Sequence, residues 1–249
     1  MRLVTGIGAV LAVLLCTSAV ITTSFKVVSG TQGADIQLPI TVNQMQVENG
    51  VIPVELQCGA ASVTMPGTLD QFSCTLRNNT AKNIVAANVA YTIQFEQEGR
   101  LFKDFRSHVI ASSVHPDFYD EEKPIKPGGT TTVRPAGAIT YENAVVKGLD
   151  IRVSYVEFSD HTSVELSEDG AQPVEDLRAG AARYKSWLVE KYKKGSIDAV
   201  IELLQAEPPL TDLGLTNGYQ QQGAILYRRR LQKINKARGR TQVQQYLSK

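Results

Sequence analysis

Between residues 51 and 166, apolar and polar side chains alternate with a period of two, in short runs broken by turn-forming residues. The runs are VIPVELQC, FSCTLR, IVAANVAYTIQFE, LFKDFRSHVI, TTTVRP, LDIRVSYVEF and TSVEL. That spacing of short strands predicts a β-sandwich. In the longest run the expected core face is Val85, Ala87, Val89, Tyr91, Ile93 and Phe95, with Asn88, Thr92, Gln94 and Glu96 turned to water. Asn78-Asn79 and Lys82-Asn83 reverse the chain before it, and Gln97-Glu98-Gly99 reverses it afterwards. Asn78-Asn79-Thr80 also fits a glycosylation sequon, but a turn accounts for these asparagines without a sugar. Upstream, ADIQLPITV alternates Ile36, Leu38, Ile40 and Val42, which suits an edge strand because Pro39 cannot donate to a ladder.

Beyond Gly170 the apolar period lengthens to about 3.6, the mark of helices. Pro173 opens the first, with Glu175 and Asp176 in its first turn, Lys191, Lys193 and Lys194 in its last, and Gly195 as its stop. Leu177, Ala181, Tyr184, Leu188 and Tyr192 form its apolar stripe, and Trp187 is a packing residue. Ser196 caps IDAVIELLQA, which ends before Pro208-Pro209. A third helix runs from about Tyr219 to Ala237, and TQVQQYLSK supplies a fourth.

Length and composition fit this picture, since 249 residues with 43% hydrophobic content can close one or two cores. The N-terminus is different. Arg2 precedes an uncharged run from Leu3 to Phe25, the basic n-region and apolar h-region of a secretory signal. Thr17-Ser18-Ala19 offers a cleavage point after Ala19, with Ala12 and Gly30 as alternatives, giving a signal peptide at 1–19. The competing reading is an uncleaved anchor, because the run is long enough to cross ~30 Å of hydrocarbon. A lipid on Cys16 is disfavoured by Leu15, which stands where a small residue is needed. Cys58 and Cys74 are then the remaining pair, each on the inward face of its strand. Export favours a disulfide between them, worth ~3 kcal/mol by loop-closure entropy, over two buried thiols.

The motifs TLRNNT, VAYTIQFEQEGRL, IKPGGTTTV and IRVSYVEFSDHT occur in an order that resembles bacterial extracytoplasmic immunoglobulin-like domains of the FxLYD kind, over about residues 71–166. The resemblance implies an immunoglobulin-like sandwich used for binding or spacing rather than catalysis. Two departures are an inserted loop, ASSVHPDFYDEEKP, and Asp160-His161 where Asp-Gly would make the simpler turn. The expected class is therefore α+β: a linker with an edge strand at 20–47, an immunoglobulin-like sandwich at 48–168, and an α-helical region at 173–249.

Chemistry is sparse. The chain's histidines are His108, His115 and His161, none in a metal-binding spacing. Asp117, Asp120, Glu121 and Glu122 gather oxygen donors but lack the order of a calcium loop, so they read as a solvated acidic loop with no metal. Phe118 and Tyr119 in that loop are the candidate protein interface. No GxSxG, P-loop or GxGxxG appears, and the glycines of TGIGAV lie inside the leader, so neither a cofactor nor a catalytic residue is expected. The net charge of +1 conceals a basic end: residues 211–249 carry eight Lys or Arg against Asp212 alone. Arg228, Arg229, Arg230 and Lys233 are the candidate anion contacts, although Ile225, Leu226, Leu231 and Ile234 give the same helix a packing face. Export argues against nucleic acid. A non-enzymatic envelope module that binds a protein or an envelope component is the leading expectation, with membrane contact only through an uncleaved N-terminus or the basic helix. A periplasmic hydrolase using His115 or His161 between sandwich and helices is the alternative.

Overall fold

The computed structural model describes residues 36–38, 40–42, 53–70, 72–111, 115, 123–134 and 137–248. The leader, Phe118 and Tyr119 lie outside them. The described part is an α+β fold. Its strands are β1 (Ile36–Leu38), β2 (Ile40–Val42), β3 (Val54–Cys58), β4 (Ala61–Met65), β5 (Thr68–Leu69) and β6 (Cys74–Asn78). They continue with β7 (Ile84–Gln97), β8 (Arg100–Ala111), β9 (Thr130–Val133), β10 (Ile139–Thr140), β11 (Ala144–Phe158) and β12 (Ser163–Glu165). The helices α1 (Gln172–Lys194), α2 (Ile197–Gln205), α3 (Gly218–Arg238) and α4 (Arg240–Leu247) follow.

The strands form a sheet ordered β12-β11-β7-β8, a sheet ordered β3-β6-β9 and a sheet ordered β1-β4-β5-β10. Leu56, Leu76, Leu69, Val89, Ile93 and Ile151, drawn from all three, meet in one apolar core. The segment around Pro39 serves two sheets: β1 pairs antiparallel with β4, and β2 pairs parallel with β11. Strand β4 was absent from the sequence expectation, as were β5 and β10, which are only two residues long, below the length at which alternation is visible. Gly67 permits their arrangement, since a Cβ there would lie 2.3 Å from the Tyr141 carbonyl oxygen.

Cys58 and Cys74 face each other across the β3–β6 ladder and form a disulfide. Asn78 is completely buried, and both ends of its amide are used. Its Nδ2 donates to the carbonyls of Lys82 and Ile125, and its Oδ1 accepts from the Thr80 amide and hydroxyl. The sequon asparagine is thus committed to the turn.

One sequence expectation needs correction. Ala87, Val89, Tyr91 and Ile93 are buried as expected, whereas Val85 and Phe95 are half-buried, and on the opposite face Asn88 is buried rather than wet, as is its neighbour Ala86. The cause is a second layer. Val174 of α1 packs on Ala86 and Tyr155, and Asn88 donates to the Gly170 carbonyl at 3.0 Å while its own carbonyl accepts from Ser154 Oγ. Arg178 of α1 reaches back to β11 as a two-pronged pair with Glu157, at 2.7 and 3.1 Å. Helix and strand regions are thereby joined by apolar packing and by a charge-assisted clamp.

The helical boundaries follow their local chemistry. Pro173 stands in the first turn of α1, and Ser196 accepts from the Ala199 amide to cap α2. Helices α1 and α3 approach closely because glycines face each other's backbone. A Cβ at Gly180 would lie 1.9 Å from the Gln220 carbonyl oxygen, and one at Gly223 would lie 1.8 Å from that of Leu177. Leu177, Ala181, Tyr184, Leu188, Tyr227 and Leu231 fill the core around the crossing.

Candidate functional site

Strand β8 ends its sheet, with β7 on one side and no strand on the other among the described residues. The β7–β8 hairpin turns at Glu98-Gly99, both with positive φ (52° and 72°), the geometry whose twist matches an antiparallel pair. A loop of two residues makes Gln97 and Arg100 a hydrogen-bonded pair, and the register then runs without interruption to Ala86 and Ala111. Even-numbered residues of β8 therefore bond back to β7, while Leu101, Lys103, Phe105, Ser107 and Val109 turn their backbone groups outward. The Tyr219 hydroxyl, which donates to the Ser107 carbonyl at 3.3 Å, meets one of these outward groups.

The edge carries unusual apolar exposure for so long a strand. Leu101 is 59% exposed, Phe102 42% and Phe105 73%. Phe102 lies on the face that continues the β core, stacked on Phe95, which is itself stacked on Tyr141 with ring centres 4.1 Å apart. On that face Asp104 accepts from the Tyr141 hydroxyl at 2.6 Å and from Arg106 Nε at 2.8 Å. Burial, reinforced by the Asp104 carboxylate, pushes the Tyr141 phenol far above its usual range. Tyr141 thus remains a donor and holds Asp104 in place.

The far wall of the edge is the first turn of α3. Asn217 caps that helix by accepting from the Tyr219 amide, and its Nδ2 donates to Asp176 of α1 at 2.8 Å. Gln220 donates to the other oxygen of the same carboxylate at 3.0 Å. Asp176 therefore fixes the start of α3, and with it Tyr219, whose hydroxyl also bonds Ser107 Oγ. The result is a groove along β8, lined by Asp104 to Val109 on one side and by Tyr219 and Gln222 on the other. Tyr219 closes the groove at Ser107, and the edge below it, from Arg100 to Arg106, is open among the described residues.

The candidate anion contacts divide. Arg228 donates to the Ala206 carbonyl at 2.7 Å and Gln232 donates to the Leu204 carbonyl, so both finish the C-terminus of α2. Arg229, Arg230 and Lys233, with Lys236, line a shallow basic groove on α3. The histidines fall on separate elements. His108 is on β8, where burial pushes its pKa down; His115 packs edge-on against Tyr227; His161 is exposed in the β11–β12 turn. Among the described residues no group of three or more His, Cys, Asp or Glu could hold a metal ion. No described helix is long and apolar enough to cross a membrane.

The sequence reading did not single out Leu101, Phe102 and Phe105. The available signal was RLFKDF, which places large apolar groups on both faces of a strand whose neighbour has a single apolar face. No protein-family model matches the chain, and no curated protein matches it in sequence.

Proposed function

We propose that the protein is a non-enzymatic extracytoplasmic module that binds another protein or a component of the bacterial cell envelope, and that the open stretch of the β8 edge is its contact surface. The observation that carries this reading is a twelve-residue edge strand with three large apolar side chains left in solvent. Exposed edges of this kind accept an added strand through main-chain hydrogen bonds, and they are a hazard unless they have a use. The Cys58–Cys74 disulfide is compatible with an oxidising compartment. The resemblance of residues 71–166 to FxLYD-type immunoglobulin-like domains supports a binding role, because such domains are generally non-catalytic.

The test is Lys103→Pro, which deletes an outward N–H without touching the ladder to β7. Copurification from native envelopes should lose its strand-dependent partners with this variant. Undiminished retention, with the fold intact by circular dichroism, would remove the edge from the proposal.

A further inference from the structure

The open stretch of β8 is complementary to itself. Resting on the reading of this edge as a contact surface, the geometry points to a second copy of the same chain as its occupant, with two β8 strands pairing antiparallel about a twofold axis at Phe102. The sheet then runs unbroken through both copies.

The register follows from elimination. A twofold axis normal to the sheet keeps each face continuous, so a residue on the axis meets its own copy and its neighbours pair symmetrically. An axis at Lys103 sets Lys103 against Lys103 and Arg100 against Arg106, like charges directly opposed. An axis at Asp104 opposes two carboxylates and brings Leu101 against Ser107, where Tyr219 already occupies the edge. An axis at Phe105 brings Lys103 against the same blocked Ser107. An axis at Leu101 sets Asp104 against Glu98. The axis at Phe102 instead sets Arg100 against Asp104 on both sides, opposes Leu101 with Lys103 as hydrogen-bonded pairs, and lays Phe105 over Gly99. It also uses only the edge from Gly99 to Phe105, short of Tyr219.

Each remaining feature of the edge has a place in that pairing. Phe102 meets its copy at the axis, supported from behind by the Phe95–Tyr141 stack. Phe105, the most exposed of the three apolar residues, covers the glycine of the opposing turn. The hydroxyl of Tyr219 holds the register by closing the alternatives that slide toward Ser107.

The experiment is sedimentation velocity on the full chain carrying Cys16→Ser, from nanomolar to high micromolar concentration, together with oxidative cross-linking of variants that add one free cysteine beside the Cys58–Cys74 disulfide. A reversible dimer is expected. Lys103→Pro should raise its dissociation constant about thirtyfold, because the twofold removes two edge bonds at once. Phe102→Cys should form a disulfide-linked dimer and Lys103→Cys should not, whereas preferential cross-linking at Lys103 overturns the proposal. A chain that stays monomeric at all concentrations also overturns it. If that monomer still loses its envelope partners on Lys103→Pro, the edge reading survives without self-pairing. If the substitution changes neither property, both fail.

Discussion

The two faces of the β11–β7–β8 sheet are covered in different ways. One face meets other strands through Ala87, Val89, Tyr91, Ile93 and Ile151 along most of its length. The other meets helices only at one end, through Ala86, Asn88, Tyr155 and Val109, and is bare at the hairpin end, where Leu101 and Phe105 stand in solvent. The strand face is held by side-chain alternation, and the β3–β6 pair opposite carries the covalent staple. The helix face is held by Val174 packing on Ala86 and Tyr155 and by the Arg178–Glu157 pair, and the helices above it touch backbone to backbone at glycines. The contrast separates what makes the sheet stable from what leaves one corner of it available.

The largest effect is expected where the backbones touch. Gly223→Ala, which drives a methyl into the Leu177 carbonyl, should cost about 3 kcal/mol in urea unfolding. A loss below about 0.5 kcal/mol would show that the helix layer tolerates separation after all. On the strand face, replacing both Cys58 and Cys74 by Ala should cost slightly less, about 3 kcal/mol or under, for a bridge with a sequence separation of 16. Asn78→Ala should cost about 2 kcal/mol by stranding the Lys82 and Ile125 carbonyls. If it is neutral, the turn is not the keystone its bonds suggest.

Smaller effects test the border between the layers. His108 has a pKa lowered by burial from an ordinary value of 6.5, so the unfolded chain binds the proton more readily. Stability from this group is then complete above pH 6.5 and falls as pH drops from there through the folded value. His108→Asn should flatten that slope in pH-dependent melting, and an unchanged slope would assign it to other groups. The smallest change is a gain. Tyr184 is fully buried in the helical core, its hydroxyl has no hydrogen-bond partner among the described residues, and burial pushes its pKa up to about 12. Tyr184→Phe should stabilise by about 0.5 kcal/mol, and a loss would reveal a partner for the hydroxyl.

Local chemistry made much of this legible. Pro173, Gly195 and Ser196 mark helix ends because each acts within a turn of its own position, and the parity of Cys58 and Cys74 reflects the two-residue repeat of any strand. Asn88 was misread for the complementary reason. Alternation reports one buried face, and a polar residue beneath a helix more than eighty positions later in the chain leaves no trace in its own run. The α1–α3 crossing was equally silent, since a glycine within a helical period looks like a weak helix former until its neighbour is known. The β8 edge depends on sheet order, a non-local property. RLFKDF carried the hint, but only the position of β8 outside β7 gives it meaning.

The division of residues 36–42 between two sheets has a mechanical corollary. A pull on the chain ahead of Ile36 is borne first by β1 against β4 and then by β2 against β11. Because β2 runs parallel to β11, tension drawn toward the C-terminal helices loads that short ladder in shear, with its bonds resisting together instead of peeling in turn. A tether at this end of the molecule would therefore meet a clamp rather than a zipper.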